Sequence, residues 1–235
     1  GRKMSSRGGR AVTRVLILVE GQTERAVIQK VLAPYMAARG LYLHPRIIGK
    51  PGHKGGIRRF HAVLREIVLL LKQEPQSLVS TFFDYYALPG DWPGSAEAKS
   101  RNNAVEAPLI IEEALANEVT RTIGDAANPN RFIPYIQMHE LEALLFVNPE
   151  IMASSFERPE LAEKFAGIVK ECGGCENIDD NPATAPSKRI ENLFPAYKKG
   201  SSVNAHAPLI MEQTGIDSIR QHCPHFNQWL ETLLG

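Results

Sequence analysis

The chain has 235 residues, 43% of them apolar and 23% charged. That is enough to bury one full core, and no run approaches the ~18 apolar residues that a membrane-spanning helix needs. The formal net charge is only +1, but residues 1–72 hold 15 of the 27 Lys and Arg and 3 of the 26 Asp and Glu. A basic first third suits a phosphate backbone, and solvated helix faces are the plain alternative.

Residues 1–12 read as a flexible tail, and residues 1–10 lack the apolar core of a signal segment. A cytoplasmic location is the default expectation. The run Val15-Leu16-Ile17-Leu18-Val19 predicts a buried parallel strand over 13–19. Thr23 caps a helix predicted to about 39, which Gly40 stops. A second strand follows at 42–48. The loop 49–56 leads to a helix over 57–73, and a third strand spans 78–83. A Pro/Gly-rich loop at 87–95 precedes a helix over 104–121. A fourth strand spans 131–138, with a helix starting at 139. This alternation predicts an α/β fold, Rossmann-like, with a mostly parallel sheet flanked by helices. Residues 13–148 make the core. Beyond 149 the short helices and Pro-interrupted turns read as a C-terminal α-helical extension, 149–235, packed on it.

Three of these strands end in acids: Glu20 (then Gly21 and Glu24), Asp84, and the pair Glu140 and Glu142. Parallel strands share one C-terminal edge, where open α/β sheets place their ligands. Carboxylates there repel a phosphate unless a divalent cation lies between them. Each acid alone is explained equally well as a helix cap or first-turn acid. Three coincident strand ends are not.

On these residues the chain resembles the TOPRIM fold of topoisomerases, primases and OLD-type nucleases. Glu20, Gly21 and Glu24 match the Glu-Gly-x-x-Glu form of its first motif. Glu140 and Glu142 match a later acidic motif, and Lys188, in Thr-Ala-Pro-Ser-Lys-Arg-Ile, matches the family's lysine. More closely, the chain is similar to an uncharacterised TOPRIM-like bacterial family often encoded beside an AAA/ABC-type ATPase. That similarity runs from Val19 through residues 223–230. It implies Mg²⁺ or Mn²⁺ at Glu20, Asp84, Glu140 and Glu142, with Glu24 and Lys188 as further catalytic groups. It also implies DNA or RNA as substrate, an ATPase partner, an anti-phage role and a homo-oligomer as an option. One departure stands out. The second Asp of the family's Asp-x-Asp is Tyr86, and a phenol with pKa about 10 is a poor ligand for a hard cation near neutral pH. Glu140, Glu142 or Asp91 are candidates to replace it.

Other signals are weaker. The loop from Gly49 to Arg59 mixes glycines with Lys50, Lys54, Arg58 and Arg59, as a nucleic-acid backbone clamp or an ordinary basic turn. It lacks the P-loop spacing. Lys188 and Arg189 are phosphate-facing cations or solvated helix residues. Cys172, Cys175 and Cys223 match no standard zinc finger, and packing of Cys223 with Phe226 and Trp229 is the simpler reading. His139 is a base, a ligand or a structural histidine. The chemistry these residues point to is metal-dependent phosphodiester hydrolysis. The alternatives are a catalytically weak regulatory subunit of an ATPase complex, and a small-molecule phosphatase. The last lacks an Asp-x-Asp directly after the first strand.

Overall fold

In the computed structural model, the apolar run Val15–Val19 is a strand buried on both faces. Successive side chains point to opposite sides. Val15, Ile17 and Val19 enter one hydrophobic cluster, and Leu16 and Leu18 enter another. The structure describes residues 13–49, 59–101, 106–178, 181, 183–197 and 201–235, with the side chains of 201–204 excepted.

In chain order, β1 (Thr13–Val19) leads into α1 (Gln22–Val27), a π-helical stretch (Ile28–Leu32) and α2 (Ala33–Ala37). Next come β2 (Leu41–Ile47), α3 (Phe60–Gln73) and β3 (Ser77–Asp84). A 3₁₀ turn (Tyr85–Ala87), α4 (Ser95–Ser100) and α5 (Glu106–Ile123) follow. Two short strands, β4 (Phe132–Ile133) and β5 (Ile136–Gln137), precede a 3₁₀ helix (Leu141–Val147). The rest is helical: α6 (Pro149–Ser155), α7 (Ala162–Cys172), α8 (Pro186–Leu193), α9 (Ser201–Thr214), α10 (Ile216–His222) and α11 (Pro224–Leu234).

The sheet order is β2-β1-β3-β4, with β5 also on β3, and every pairing is parallel. One face of the sheet carries Leu16, Leu18, Val79 and Phe83 against residues of α3 and α5. The other carries Val15, Ile17, Val19 and Phe82 against α1, α2 and residues from α6 to α11. Both faces are therefore covered by helices, as a doubly buried parallel sheet requires. Among the described residues no helix is long and apolar enough to cross a membrane.

Several local expectations are corrected. The predicted fourth strand, 131–138, is two strands, because Pro134 has no N–H to give the ladder. Thr81 repairs the gap. Its Oγ1 accepts from the Tyr135 N–H at 2.9 Å and donates to the Tyr135 carbonyl at 2.9 Å. The expected helix at 139 is a 3₁₀ run that begins at Leu141, and α4 sits beyond the expected loop. The first helix passes through a π segment before Gly40.

Long-range bonds tie the C-terminal helices to the sheet. Trp229 Nε1 donates to Ser80 Oγ at 3.0 Å, and that hydroxyl donates to the Ile133 carbonyl at 2.6 Å. Glu112 Oε1 accepts from the Ile136 N–H at 2.7 Å and lies 2.9 Å from His225 Nε2. Glu176 accepts from the N–H groups of His225 and Phe226, both at 3.0 Å, at the start of α11.

The Thr81 bridge generates a stability prediction. Thr81→Val keeps the shape but strands two buried backbone groups of Tyr135. Denaturant unfolding should show a loss of about 2 kcal/mol. An unchanged midpoint would mean that the bridge carries no stability.

Candidate active site at the C-terminal edge of the sheet

The register of β1 on β3 sets Val19 against Phe82, so the residues after each strand emerge side by side. Glu20 follows β1 and its Oε1 accepts from the Asp84 N–H at 2.5 Å. Asp84 closes β3 and pairs in register with Gln137 of β5. Its Oδ1 accepts from the Leu141 N–H at 2.9 Å and so caps the 3₁₀ run that carries Glu142. Glu140 Oε2 accepts from the Ser187 N–H at 2.9 Å, the first turn of α8. Glu24, in the first turn of α1, lies over Gly21, where an added Cβ would meet its Oε2 at 3.3 Å.

These placements bring Glu20, Glu24, Asp84, Glu140 and Glu142 together. Asp84, Glu140 and Glu142 are buried, and Glu20 and Glu24 are half-buried. Burial, then the fields of Glu20, Glu24, Glu142 and Glu140, push the Asp84 carboxyl well above the usual carboxylate range. Asp84 is thus the point on which charges from three strand ends converge.

The backbone between β5 and Glu140 is strained. His139 has φ +59° and is fully buried. The Glu140 N–H bonds back to the Met138 carbonyl at 2.9 Å, a γ-turn of the rarer positive-φ kind. The His139 carbonyl accepts from the Tyr86 N–H at 3.1 Å, and its ring meets Tyr85 edge-on at 6.3 Å. His139 therefore shapes the turn that presents Glu140, and is not a helix-start residue.

Of the expected basic residues, Lys188 and Arg189 are each held by a nearby glutamate. Lys188 follows Ser187, but its Nζ is 2.6 Å from Glu191, one turn along α8. Arg189 bonds the Thr184 carbonyl at 2.9 Å and lies 3.7 Å from Glu171. Arg59 is exposed at the start of α3. Lys50, Lys54 and Arg58 lie outside the described residues. Asp91 accepts from the Phe60 N–H at 3.2 Å and so caps α3. Tyr86, in place of a second Asp, is 40% exposed.

Tyr197 is a site residue that no local motif reveals. It is fully buried, and its hydroxyl forms no well-formed hydrogen bond among the described residues. Burial, then Glu142 and Glu140, hold its pKa well above the ordinary phenol range. Its closeness to the acids depends on the chain returning after α8, which sequence spacing does not show.

The three cysteines are free thiols. Cys223 packs in one core cluster with Phe226 and Trp229. The zinc alternative finds no support, since His222 Nδ1 bonds the Ser218 carbonyl at 2.8 Å and His225 is held on Glu112. Among the described residues no group of three or more His, Cys, Asp or Glu side chains stands ready to hold a metal ion.

The chain belongs to the family defined by a domain of unknown function, DUF4276, whose family model matches residues 19–234. Among solved structures it is similar to the C-terminal region of the OLD protein of Xanthomonas campestris pv. campestris. The identity is 18%, over 94% of this chain and 97% of that chain, with a TM-score of 0.36. No curated protein matches.

The raised Asp84 carboxyl has a pH consequence. Its folded pKa exceeds the unfolded one, so the folded state holds the proton more tightly. Stability from this group is full below the ordinary carboxylate pKa and is lost as pH rises through the raised value. In EDTA above that window, Asp84→Asn should unfold a few degrees higher, about 1 kcal/mol for a chain of this size. In acid the difference should vanish. Equal melting temperatures across the whole pH range would contradict the assignment.

Proposed function

We propose that this member of the DUF4276 family is a metal-dependent nuclease that hydrolyses phosphodiester bonds in DNA or RNA. The observation that carries the reading is the gathering of four glutamates around a buried Asp84 at the C-terminal edge of a parallel sheet. Such a gathering is electrostatically costly, and a divalent cation offsets it.

The donor chemistry fits a hard cation, Mg²⁺ or Mn²⁺. These carboxylates are not arranged as a closed three-ligand cage. Mg²⁺ does not need one, because it usually keeps several waters and takes one or two carboxylates together with substrate phosphate oxygens. Glu20 and Asp84 are the natural holders, with Glu140 and Glu142 alongside. When bound, the ion would supply charge to the phosphate oxygens and lower the pKa of water.

The residues of the chain do the rest. The Asp84 N–H fixes the Glu20 carboxylate at 2.5 Å, and the Leu141 N–H fixes the Asp84 carboxylate at 2.9 Å. The Ser187 N–H orients Glu140. Glu24, half-buried above Gly21, would be a further ligand or would position the attacking water. Lys188 contributes only by leaving Glu191. The resemblance to OLD-type, ATPase-linked TOPRIM proteins supports a cytoplasmic effector of anti-phage defence that works with an AAA/ABC-type ATPase.

A second reading, a catalytically weak regulatory subunit of such a complex, is favoured by two observations. Tyr86 occupies the second acidic position, and among the described residues no three-ligand cluster is preformed.

The test is cleavage of plasmid DNA, single-stranded DNA and tRNA with Mg²⁺, Mn²⁺ or EDTA. Cutting should need the metal and fall about 100-fold or more in Glu20→Gln and in Asp84→Asn. Cutting that survives EDTA or both substitutions would refute the nuclease site. Metal binding without cutting would favour the regulatory reading.

A further inference from the structure

A cleft of about 220 Å³, lined by Tyr85, Tyr86, Leu88, Ser95, Lys99 and Ile111, opens at the 3₁₀ turn that follows Asp84. Its two tyrosines face differently. Tyr85 sits edge-on against the buried His139 ring. Tyr86 is 40% exposed. The bond from the Tyr86 N–H to the His139 carbonyl ties its backbone to the turn that presents Glu140.

Lys99 stands on α4 and is exposed. It forms no ion pair among the described residues, whereas Lys188 and Arg189 are each held by a glutamate. Its Nζ lies over the loop after Tyr86, 3.8 Å from where a Cβ on Gly90 would be. The start of α4 is fixed by Gly94 at φ +78°, where a Cβ would come within 3.1 Å of the Ile110 carbonyl and 3.2 Å of Ala114. Only glycine suits that conformation and that approach of α4 to α5. Lys99 is therefore carried on a seated helix.

We propose that this cleft binds single-stranded nucleic acid, with one unpaired base stacked on Tyr86 and the adjoining phosphate on Lys99. The inference rests on the nuclease reading and names its substrate class. An exposed aromatic face with a cation beside it is the recurring element of single-strand recognition. In a duplex the base faces are already stacked within the helix, so Tyr86 would have nothing to stack on. The cleft has room for about one base, and its two tyrosines directly follow Asp84 in the chain. The tyrosine that occupies an acidic position thus becomes a substrate contact.

Fluorescence anisotropy with labelled oligothymidylate, oligouridylate and a DNA duplex tests this. It uses the full chain carrying Glu20→Gln to prevent cutting. Single strands should bind more tightly than the duplex. Tyr86→Ala should weaken single-strand binding about 5- to 100-fold, and Tyr86→Phe should stay within about 2-fold. Lys99→Gln should weaken it and lower the salt slope by about 0.7. Melting curves confirm that the variants fold, and Lys99→Gln decides the matter if Tyr86→Ala does not. Unchanged binding in Tyr86→Ala and Lys99→Gln, or equal binding of the duplex, would overturn the proposal. If Glu20-dependent cutting then persists in the parent, only the strand preference fails. Loss of all nucleic-acid binding, with Mn²⁺ still bound, would sink the nuclease reading as well.

Discussion

Mutual repulsion among carboxylates at the C-terminal edge of the sheet is the constraint around which the rest of the molecule is arranged. Glu20 and Asp84 come from adjacent parallel strands, and Glu140 and Glu142 follow a third. None of these groups would be gathered for stability alone. Backbone N–H groups offset part of the cost: Asp84 to Glu20, Leu141 to Asp84 and Ser187 to Glu140. Each such bond also fixes where a carboxylate points. The strained turn at His139 and the capped 3₁₀ run after it are the local means of delivering two further acids to one place.

The fold serves this arrangement. A sheet covered on both faces leaves only its edges and strand ends open to a ligand. The helices after residue 148 cover the face of β1 that carries Val15, Ile17 and Val19, and α8 returns to the acids to bond Glu140. Trp229 holds the last helix against the sheet, and Glu176, in the turn after α7, holds its first residues. Shape at the site thus depends on contacts made far along the chain, including Tyr197 beside Glu142.

Much of this was legible in sequence, for identifiable reasons. An uninterrupted run such as Val15–Val19 suits only a strand buried on both faces, and Glu20 directly after it falls on the open edge. Asp84 and the Glu140–Glu142 pair follow by the same logic. Pro134 was visible as a letter, but not that Thr81 would stand in for the missing ladder bonds, because that contact spans 54 positions. Tyr197 and the cap on Glu140 were hidden for the same reason. Lys188 carries the right motif, yet i,i+3 pairing with Glu191 competes for its charge. Tyr86 looked like a defect in a motif. It is 40% exposed, and its N–H is tied to the His139 carbonyl.

The most direct test of the central claim is a crystal of the protein soaked in Mn²⁺ and measured for anomalous scattering. The account predicts a peak in contact with Asp84 and Glu20, at about 2.0–2.3 Å from a carboxylate oxygen of each, with waters completing the shell. A map with no peak there, or with manganese only on exposed surface acids, would contradict it.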